Sequence, residues 1–151
     1  QSADLARVDF SDYIPTLVDD LFETYKISPQ DIELEVEVSD GLLDLDQAIP
    51  CGLMLNELIS NSLKYAFPNG RKGKISVQLG PNKEGDTRLV VQDNGIGLPE
   101  GFDYRKSKSL GLQLISILSR QLQGGIELRS EAGTEFAITF PVRSGPMGDR
   151  L

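Results

Sequence analysis

Two polar segments in the middle of the chain constrain its fold more than any other feature. The first, at residues 56–66, reads NELISNSLKYA, and the second, at 93–97, reads DNGIG. In a helix over the first segment, four side chains fall on one stripe, namely Glu57, Asn61, Lys64 and Tyr65. A separate apolar stripe on the same helix consists of Leu55, Leu58, Ile59 and Leu63. Such a helix can pack one face inward and present an acid, an amide, an amine and a ring to a ligand.

Hydrophobic periodicity predicts the elements around these segments. Helices are predicted over 10–25, 47–67 and 111–122, and strands over 32–38, 74–79, 88–92, 126–130 and 134–140. We expect Ser11 or Asp12 to cap the first helix and Asp46 the second. The glycine-containing segment 93–110 is long for a connection, so it is predicted to be a functional loop or lid. This order favours an α+β two-layer sandwich, in which a mixed, mostly antiparallel sheet carries its helices on one face.

Length and composition limit the classes of function. The chain has 151 residues, so we predict one domain over 1–143 and a flexible tail over 144–151. Its net charge of -8 argues against a nucleic-acid partner, which would require clustered cations. Neither a long apolar run nor a signal-peptide pattern is present, so we expect no membrane contact by this domain. The lone Cys51 precludes an intrachain disulfide and favours a reducing, cytoplasmic location, with Cys51 buried in the core.

The residues of the 47–67 helix suit a nucleotide with its metal. The amide oxygen of Asn61 can ligate Mg²⁺, which usually takes one or two protein ligands besides phosphates and waters. Glu57 can polarise a hydroxyl or water near a terminal phosphate, Lys64 can neutralise phosphate charge, and Tyr65 can stack on a base or ribose. The alternative interpretation is an ordinary solvated polar face. Since the chain contains no histidine, His-based catalysis within it is excluded.

Asp93 follows the apolar run 89–91 and precedes Gly95 and Gly97. A sheltered carboxylate at a strand end can accept a hydrogen bond from an exocyclic amine such as that of adenine. The two glycines permit close backbone approach and positive φ. The alternative interpretation is a simple turn at the end of the strand, because Asn-Gly is common there.

Two further segments indicate phosphate contacts. Residues 107–112 read SKSLGL and lead into the third helix, so backbone amides and the hydroxyls of Ser107 and Ser109 can hold phosphate oxygens. Ordinary capping by Ser109 is the alternative there. Thr134 follows Gly133 in a predicted hairpin turn, and a plain β-turn is the alternative.

In their order and spacing, these motifs resemble the ATP-binding catalytic domain of sensor histidine kinases. That domain belongs to the superfamily of gyrase B, the heat-shock chaperones and the mismatch-repair ATPases. Residues 56–65 are similar to its N box, 93–97 to its G1 box, 109–112 to its G2 box and 133–136 to its last glycine motif. The strings at 65–70, 97–102 and 109–114 are most similar to the subgroup with a variant phosphoacceptor domain. The resemblance covers about 43–142 and implies a Bergerat-type ATP-binding fold.

The resemblance also implies roles for individual residues. Asn61 is then the Mg²⁺ ligand, Asp93 the adenine reader, and Glu57 stands where gyrase-like ATPases carry their general base. Residues 98–110 are the implied lid over the triphosphate. The remaining implied nucleotide contacts are Lys64, Tyr65, Gly95, Gly97, Leu98, Ser107, Ser109, Leu110, Gly111, Leu112 and Thr134.

The implied cofactors are ATP and Mg²⁺. The implied partners are a phosphoacceptor helical-hairpin domain and a response regulator. The G2 box departs from the usual pattern because it keeps only Gly111 of its glycines. The family phosphorylates a histidine on the hairpin domain, which must lie outside this chain because the chain has no histidine. Two other functions stay open: an anti-sigma-type serine kinase or related ATPase, and a non-catalytic nucleotide-sensing module.

Overall fold

The computed structural model describes residues 6–142. Its elements in chain order are β1 (Arg7–Asp9), α1 (Phe10–Thr24), β2 (Ile32–Val38), β3 (Leu42–Asp44), α2 (Leu45–Asn61), β4 (Gly73–Pro81), β5 (Thr87–Asp93), α3 (Leu110–Gln121), β6 (Gly125–Arg129) and β7 (Thr134–Phe140). A π-helical segment (Ser62–Ala66) directly continues α2, and 3-10 turns occur at Pro68–Gly70 and Tyr104–Lys106. Among residues 6–142, no helix has the length and apolarity needed to cross a membrane.

In the described part of the chain, the main sheet has five strands in the order β2-β4-β5-β7-β6. Strands β2 and β4 run parallel, and the other neighbouring pairs are antiparallel. The short strands β1 and β3 form a separate antiparallel pair. The prediction of a mixed, mostly antiparallel sheet is therefore confirmed. Strands β1 and β3 were not predicted, because three residues are too few to show an alternating pattern.

The helices cover one face of this sheet, as predicted. Side chains alternate between the two faces, so that Ile75, Val77 and Leu79 of β4 are buried while Gln78 is exposed. The core joins the inner face of the sheet to all three helices through Ile14, Val18, Met54, Leu55, Leu58, Ile59, Ile75, Val77, Leu89, Val91, Ile115, Leu118, Phe136 and Ile138. This packing fixes α2 over the ends of β5 and β7, where the polar motifs lie.

The second predicted helix, 47–67, differs from the observed one. Its α-helical part is Leu45–Asn61, and the following Ser62–Ala66 has π-helical geometry. At the end of this segment, the carbonyl oxygen of Ala66 accepts a hydrogen bond from the Ile96 amide at 3.0 Å. A π segment was not predicted because hydrophobic periodicity cannot resolve one wider turn.

Both predicted helix caps are wrong in position. Asp9 is the N-cap of α1 and accepts a hydrogen bond from the Ser11 amide at 2.9 Å. Residue Asp44 occupies the N-cap position of α2, two residues before the predicted Asp46. In each case a short strand leads directly into the helix, which moves the helix start toward the N-terminus. The predicted tail at 144–151 lies outside the described residues.

Candidate nucleotide-binding site

A cleft of about 300 Å³ opens between the C-terminal end of α2, the inner face of the sheet and the segment that leads into α3. It brings together residues from all four motifs of the sequence. The lining residues are Leu58, Asn61, Ser62, Tyr65, Ala66, Val91, Asp93, Gly97, Leu98, Phe102, Ser107, Ser109, Leu112, Thr134 and Phe136. Its walls are largely apolar with a few polar side chains among them, which is typical of a small-molecule site.

Asp93 is the buried carboxyl group of this cleft and is 3% exposed. Its Oδ1 accepts hydrogen bonds from the Gly95 amide at 2.9 Å and the Thr134 amide at 3.3 Å. The hydroxyl of Ser62 donates to its Oδ2 at 2.8 Å. Three donors from three different segments therefore fix the orientation of the carboxylate, which compensates for its burial.

Ser62 was not predicted as a site residue. It lies at the first position of the π segment, is buried, and lines the cleft beside Asn61. Its position next to Asn61 in the sequence was the available signal. On a regular α-helix, Ser62 points about 100° away from Asn61, so the stripe argument did not include it.

The loop after β5 depends on glycine at one position in particular. Gly97 has a φ of 77°, a conformation that side chains with a Cβ rarely adopt. The turn directs the amide of Leu98 toward Ser130, whose Oγ accepts its hydrogen bond at 2.7 Å. Gly95, the other predicted glycine, packs directly against the Ala66 carbonyl and does not line the cleft.

The four residues of the predicted stripe are divided by the π segment. Asn61 and Tyr65 line the cleft, and Tyr65 remains 67% exposed at its edge. Lys64 points away, with its Nζ 5.7 Å from the ring centroid of Tyr25 at the end of α1. The prediction that Lys64 shares the stripe is wrong, because each residue of a π turn advances by a smaller angle than in an α-helix. Its contact with phosphate stays a prediction.

Glu57 lies at the rim of the cleft, against the start of α3. The Cα of Gly111 is so close that a Cβ at this position would overlap Oε2 of Glu57. Glu57 precedes the lining residue Asn61 by about one helical turn. The structure thus places the candidate catalytic carboxylate between α2 and the N-terminus of α3.

The segment between β5 and α3 forms the third wall of the cleft. Phe102 and Ser107 line it, and a 3-10 turn, Tyr104–Lys106, lies between them. Hydrogen bonds from Arg105 hold the pKa of the Asp103 carboxyl below its usual range. Ser109 caps α3 by accepting from the Leu112 amide at 3.5 Å. Ser109 is therefore a helix cap that also lines the cleft, and its contact with phosphate stays a prediction.

The cleft contains nine of the predicted site residues. These are Asn61, Tyr65, Asp93, Gly97, Leu98, Ser107, Ser109, Leu112 and Thr134. Five predicted residues do not line it: Glu57, Lys64, Gly95, Leu110 and Gly111. Leu110 is 79% exposed and points to solvent. Among residues 6–142, no Lys or Arg lines the cleft.

Sequence reasoning missed the apolar walls of the site. Besides Ser62, the residues missed are Leu58, Ala66, Val91, Phe102 and Phe136. Most of them look like core positions in the sequence, and Leu58, Val91 and Phe136 do belong to the core as well as to the cleft wall. Val91 pairs with Phe136 in the same ladder that pairs Asp93 with Thr134, so the apolar wall and the buried carboxylate share one face of the sheet.

Curated relatives of the chain include a sensor histidine kinase and a sensor protein. The chain is 36% identical over 109 residues to the sensor histidine kinase PdtaS of Mycobacterium tuberculosis, a match that covers 68% of this chain and 21% of the relative. It is 28% identical over 111 residues to the nitrate/nitrite sensor protein NarX of Escherichia coli, which covers 72% of this chain and 17% of NarX. The chain thus spans about a fifth of the length of these relatives.

Solved structures share the fold. The histidine kinase domain of the Erythrobacter litoralis EL346 blue-light activated histidine kinase aligns with a TM-score of 0.77 at 21% identity, covering 86% of this chain and 59% of that one. The mycobacterial sensor histidine kinase MprB aligns with a TM-score of 0.69 at 23% identity, covering 91% and 97%. Residues 46–144 match the model of the family described as histidine kinase-, DNA gyrase B-, and HSP90-like ATPase. This match extends over more than half of the sequence, and the chain therefore belongs to that family of ATPases.

Proposed function

We propose that this chain is the catalytic domain of a sensor histidine kinase, which binds Mg-ATP and transfers the γ-phosphate to a histidine on a separate helical-hairpin domain. The observation that carries this proposal is the buried Asp93, fixed by three donors in a largely apolar cleft that Asn61 also lines. We propose that residues 1–143 form this one domain and that it acts in the cytoplasm.

The part of the cleft around Asp93 suits adenine. The Asp93 carboxylate can accept a hydrogen bond from the exocyclic amine, while Val91 and Phe136 offer apolar contact to the base. The Ser62 hydroxyl holds Oδ2 of Asp93 and so limits rotation of the carboxylate. Guanine carries a carbonyl oxygen at the corresponding ring position, which would face the carboxylate with another acceptor. The arrangement therefore favours adenine nucleotides.

The donors of the cleft suit Mg²⁺ bound together with phosphates. No group of three or more acidic, Cys or His side chains that could hold a metal occurs within residues 6–142, so a dedicated protein cage is not available there. Asn61 supplies one neutral oxygen donor at the cleft, as expected for an ion that takes most of its ligands from phosphate and water. When bound, Mg²⁺ would neutralise the charge of the phosphates, because no Lys or Arg among the described residues lines the cleft.

Transfer would rely on positioning more than on covalent chemistry by the protein. Glu57 stands at the rim, where it can orient the accepting imidazole or hold its proton. Because the chain has no histidine, the acceptor must come from another segment or another protein. We propose that this acceptor domain and a downstream response regulator are the partners, and that neither nucleic acid nor membrane is.

Calorimetric titration tests the nucleotide site. We expect ATP and ADP to bind, with an affinity that Mg²⁺ increases in the wild type but not in Asn61→Ala. Equal enhancement by Mg²⁺ in both proteins would contradict the assignment of Asn61. A folded wild type that binds no adenine nucleotide would contradict the proposal itself.

Radiolabelled ATP tests the reaction. With a histidine-bearing hairpin domain supplied, we expect acid-labile, alkali-stable phosphate on that domain. Acid-stable phosphate on a partner serine would instead support a serine kinase. Steady hydrolysis without any acceptor would support a simple ATPase.

A further inference from the structure

Ser130 connects the turn after β6 with the loop after β5. Its Oγ accepts a hydrogen bond from the Leu98 amide at 2.7 Å, across 32 positions of the sequence. A Cβ on Gly97 would come within 3.0 Å of the same Oγ, so Ser130 packs against two consecutive residues of the loop. Leu98 lines the cleft, whereas Ser130 does not. Ser130 thus holds a residue of the cleft wall from outside the cleft.

The rest of this turn packs on the same loop. We call residues 130–133 the β6–β7 turn. A Cβ on Gly133 would overlap the carbonyl oxygen of Asp93, so the two backbones are in direct contact there. Thr134, the next residue, donates its amide hydrogen to Oδ1 of Asp93 at 3.3 Å. The β6–β7 turn and the residue after it therefore contact the loop at two places, at Asp93 and at Leu98.

The loop itself gives Leu98 little restraint. Leu98 lies between Gly97 and Gly101, each of which has a φ of 77°. Glycine restricts the backbone less than any other residue, and the Cβ position of Gly101 has no atom within 4 Å. The position of Leu98 in the cleft wall therefore depends on bonds from other segments. At 2.7 Å, its bond to Ser130 is short for a backbone amide donor.

We propose that Ser130 is a positioning residue of the nucleotide site. Its hydroxyl oxygen holds the Leu98 amide, and the β6–β7 turn thereby sets the distance between Leu98 and Asp93 in the cleft. A ligand in the cleft contacts both residues well only if this distance is kept, and a site that is fixed in advance loses less free energy on binding. The alternative is an ordinary surface hydrogen bond, which would add a little stability and leave ligand binding unchanged.

This inference rests on the proposed function, because it takes the ligand of the cleft to be an adenine nucleotide. The bond itself is tested without any nucleotide, by hydrogen exchange of the Leu98 amide. In Ser130→Ala, which lacks the acceptor, we expect this amide to exchange at least about fivefold faster than in the wild type. Ser130→Thr keeps the oxygen on Cβ, and residue 130 is exposed, so we expect exchange within about twofold of the wild type.

Nucleotide binding tests the positioning role. In Ser130→Ala we expect the Kd for Mg-ATP to rise about fivefold, through a faster dissociation rate, as one lost hydrogen bond implies. Ser130→Thr should restore the Kd to within about twofold of the wild type. Stopped-flow displacement of a fluorescent ATP analogue gives the dissociation rate, and calorimetry gives the Kd.

Ser28→Ala is the matched control. The Oγ of Ser28 also accepts an exposed backbone bond, from the Gln30 amide at 3.2 Å, and Ser28 does not line the cleft. We expect Ser28→Ala to lower the urea midpoint about as much as Ser130→Ala, but to leave the Kd for Mg-ATP within about twofold. A difference between the two variants in ATP affinity at equal stability then reports position, which a merely stabilising bond would not change.

Other outcomes overturn the proposal. Unchanged exchange of the Leu98 amide in Ser130→Ala would refute the anchoring bond, whatever ligand the cleft binds. Faster exchange with an unchanged Kd for Mg-ATP would show an ordinary surface bond. Equal loss of affinity in Ser28→Ala, or a loss that Ser130→Thr does not restore, would exclude a specific role for the hydroxyl. A folded wild type that binds no adenine nucleotide contradicts the proposed function instead, and the exchange experiment distinguishes that failure from this one.

Discussion

Gly111, at the start of α3, lies directly against the side-chain carboxylate of Glu57 on α2. A Cβ at residue 111 would overlap Oε2 of Glu57, so glycine here makes room for an acid from another helix. The resemblance to histidine kinases assigns Gly111 to a phosphate-contacting motif. The structure adds a second reason for glycine at this position, which is the placement of the candidate catalytic carboxylate.

Replacing Gly111 with Ala should therefore impair phosphoryl transfer more than nucleotide binding. The added methyl would displace the Glu57 carboxylate, which is the end of a flexible side chain, so we expect a loss of unfolding free energy below about 1 kcal/mol. The transfer rate should fall at least about tenfold. The transfer rate is measured with radiolabelled ATP and a hairpin acceptor, and the free energy of unfolding is measured by urea denaturation.

Gly125→Ala is the control for this substitution. Gly125 lies at the start of β6 and has no atom near the position of an added Cβ. A transfer rate that falls equally in Gly125→Ala, or that is unchanged in Gly111→Ala, would contradict a positioning role for Gly111.

Removing the Ser62 hydroxyl should weaken ATP binding. Ser62→Ala takes away the only side-chain donor found for Asp93 within residues 6–142, so its carboxylate becomes less restrained. We expect the Kd for ATP to rise about fivefold to tenfold, which corresponds to one hydrogen bond of about 1 kcal/mol. Ser119→Ala is the control, because Ser119 is also buried but bonds to the Ser116 carbonyl of its own helix. Equal effects of the two substitutions on ATP affinity would contradict the assignment.

Lys64 should contribute to packing against α1 more than to nucleotide affinity. In the structure its Nζ lies over the ring of Tyr25, a contact of about 0.5–1 kcal/mol at an exposed site. We expect Lys64→Met and Tyr25→Leu each to lower the unfolding free energy slightly and to be coupled in a double-mutant cycle. The Kd for ATP should change less than about threefold in Lys64→Met. A rise of tenfold or more in the Kd for ATP would instead support the predicted contact of Lys64 with phosphate.

Cys51 should make the chain less stable at high pH. Burial raises the pKa of its thiol to about 12 from an ordinary value of 9.0. Below pH 9 both states keep the proton, and above it the unfolded state releases the proton while the folded state does not. Stability is thus lost as pH rises from about 9 toward 12, by about 1.4 kcal/mol at pH 10. Urea denaturation at pH 7 and 10 should show this loss in the wild type but a smaller one in Cys51→Ala.

Thiol reactivity gives an independent check on Cys51. An aromatic disulfide reagent should modify it only at the rate of unfolding, because the side chain is fully buried. Rapid modification of the folded protein would contradict both the burial and the raised pKa.

The strands were predictable because their alternation is a local property. The run from Ile32 to Val38 shows its buried and exposed faces within seven residues, and its observed bounds equal the predicted ones. The polar motifs were equally local, so Asn61 and Asp93 could be named without a structure. By contrast, β1 and β3 are defined only by their pairing with each other, and three residues carry no periodic signal.

The sequence by itself determined the residue types of the site, the helix and strand order, and the family to which they point. Only the tertiary structure decided where those side chains face. The π segment carries Ser62 and Tyr65 to the cleft and Lys64 toward Tyr25, and the register of β5 with β7 places Val91 and Phe136 in the cleft wall. The physical reason is that a sequence motif contains only residues that are close along the chain. Hydrogen bonds such as that of Ser62 with Asp93 join residues that only packing brings together.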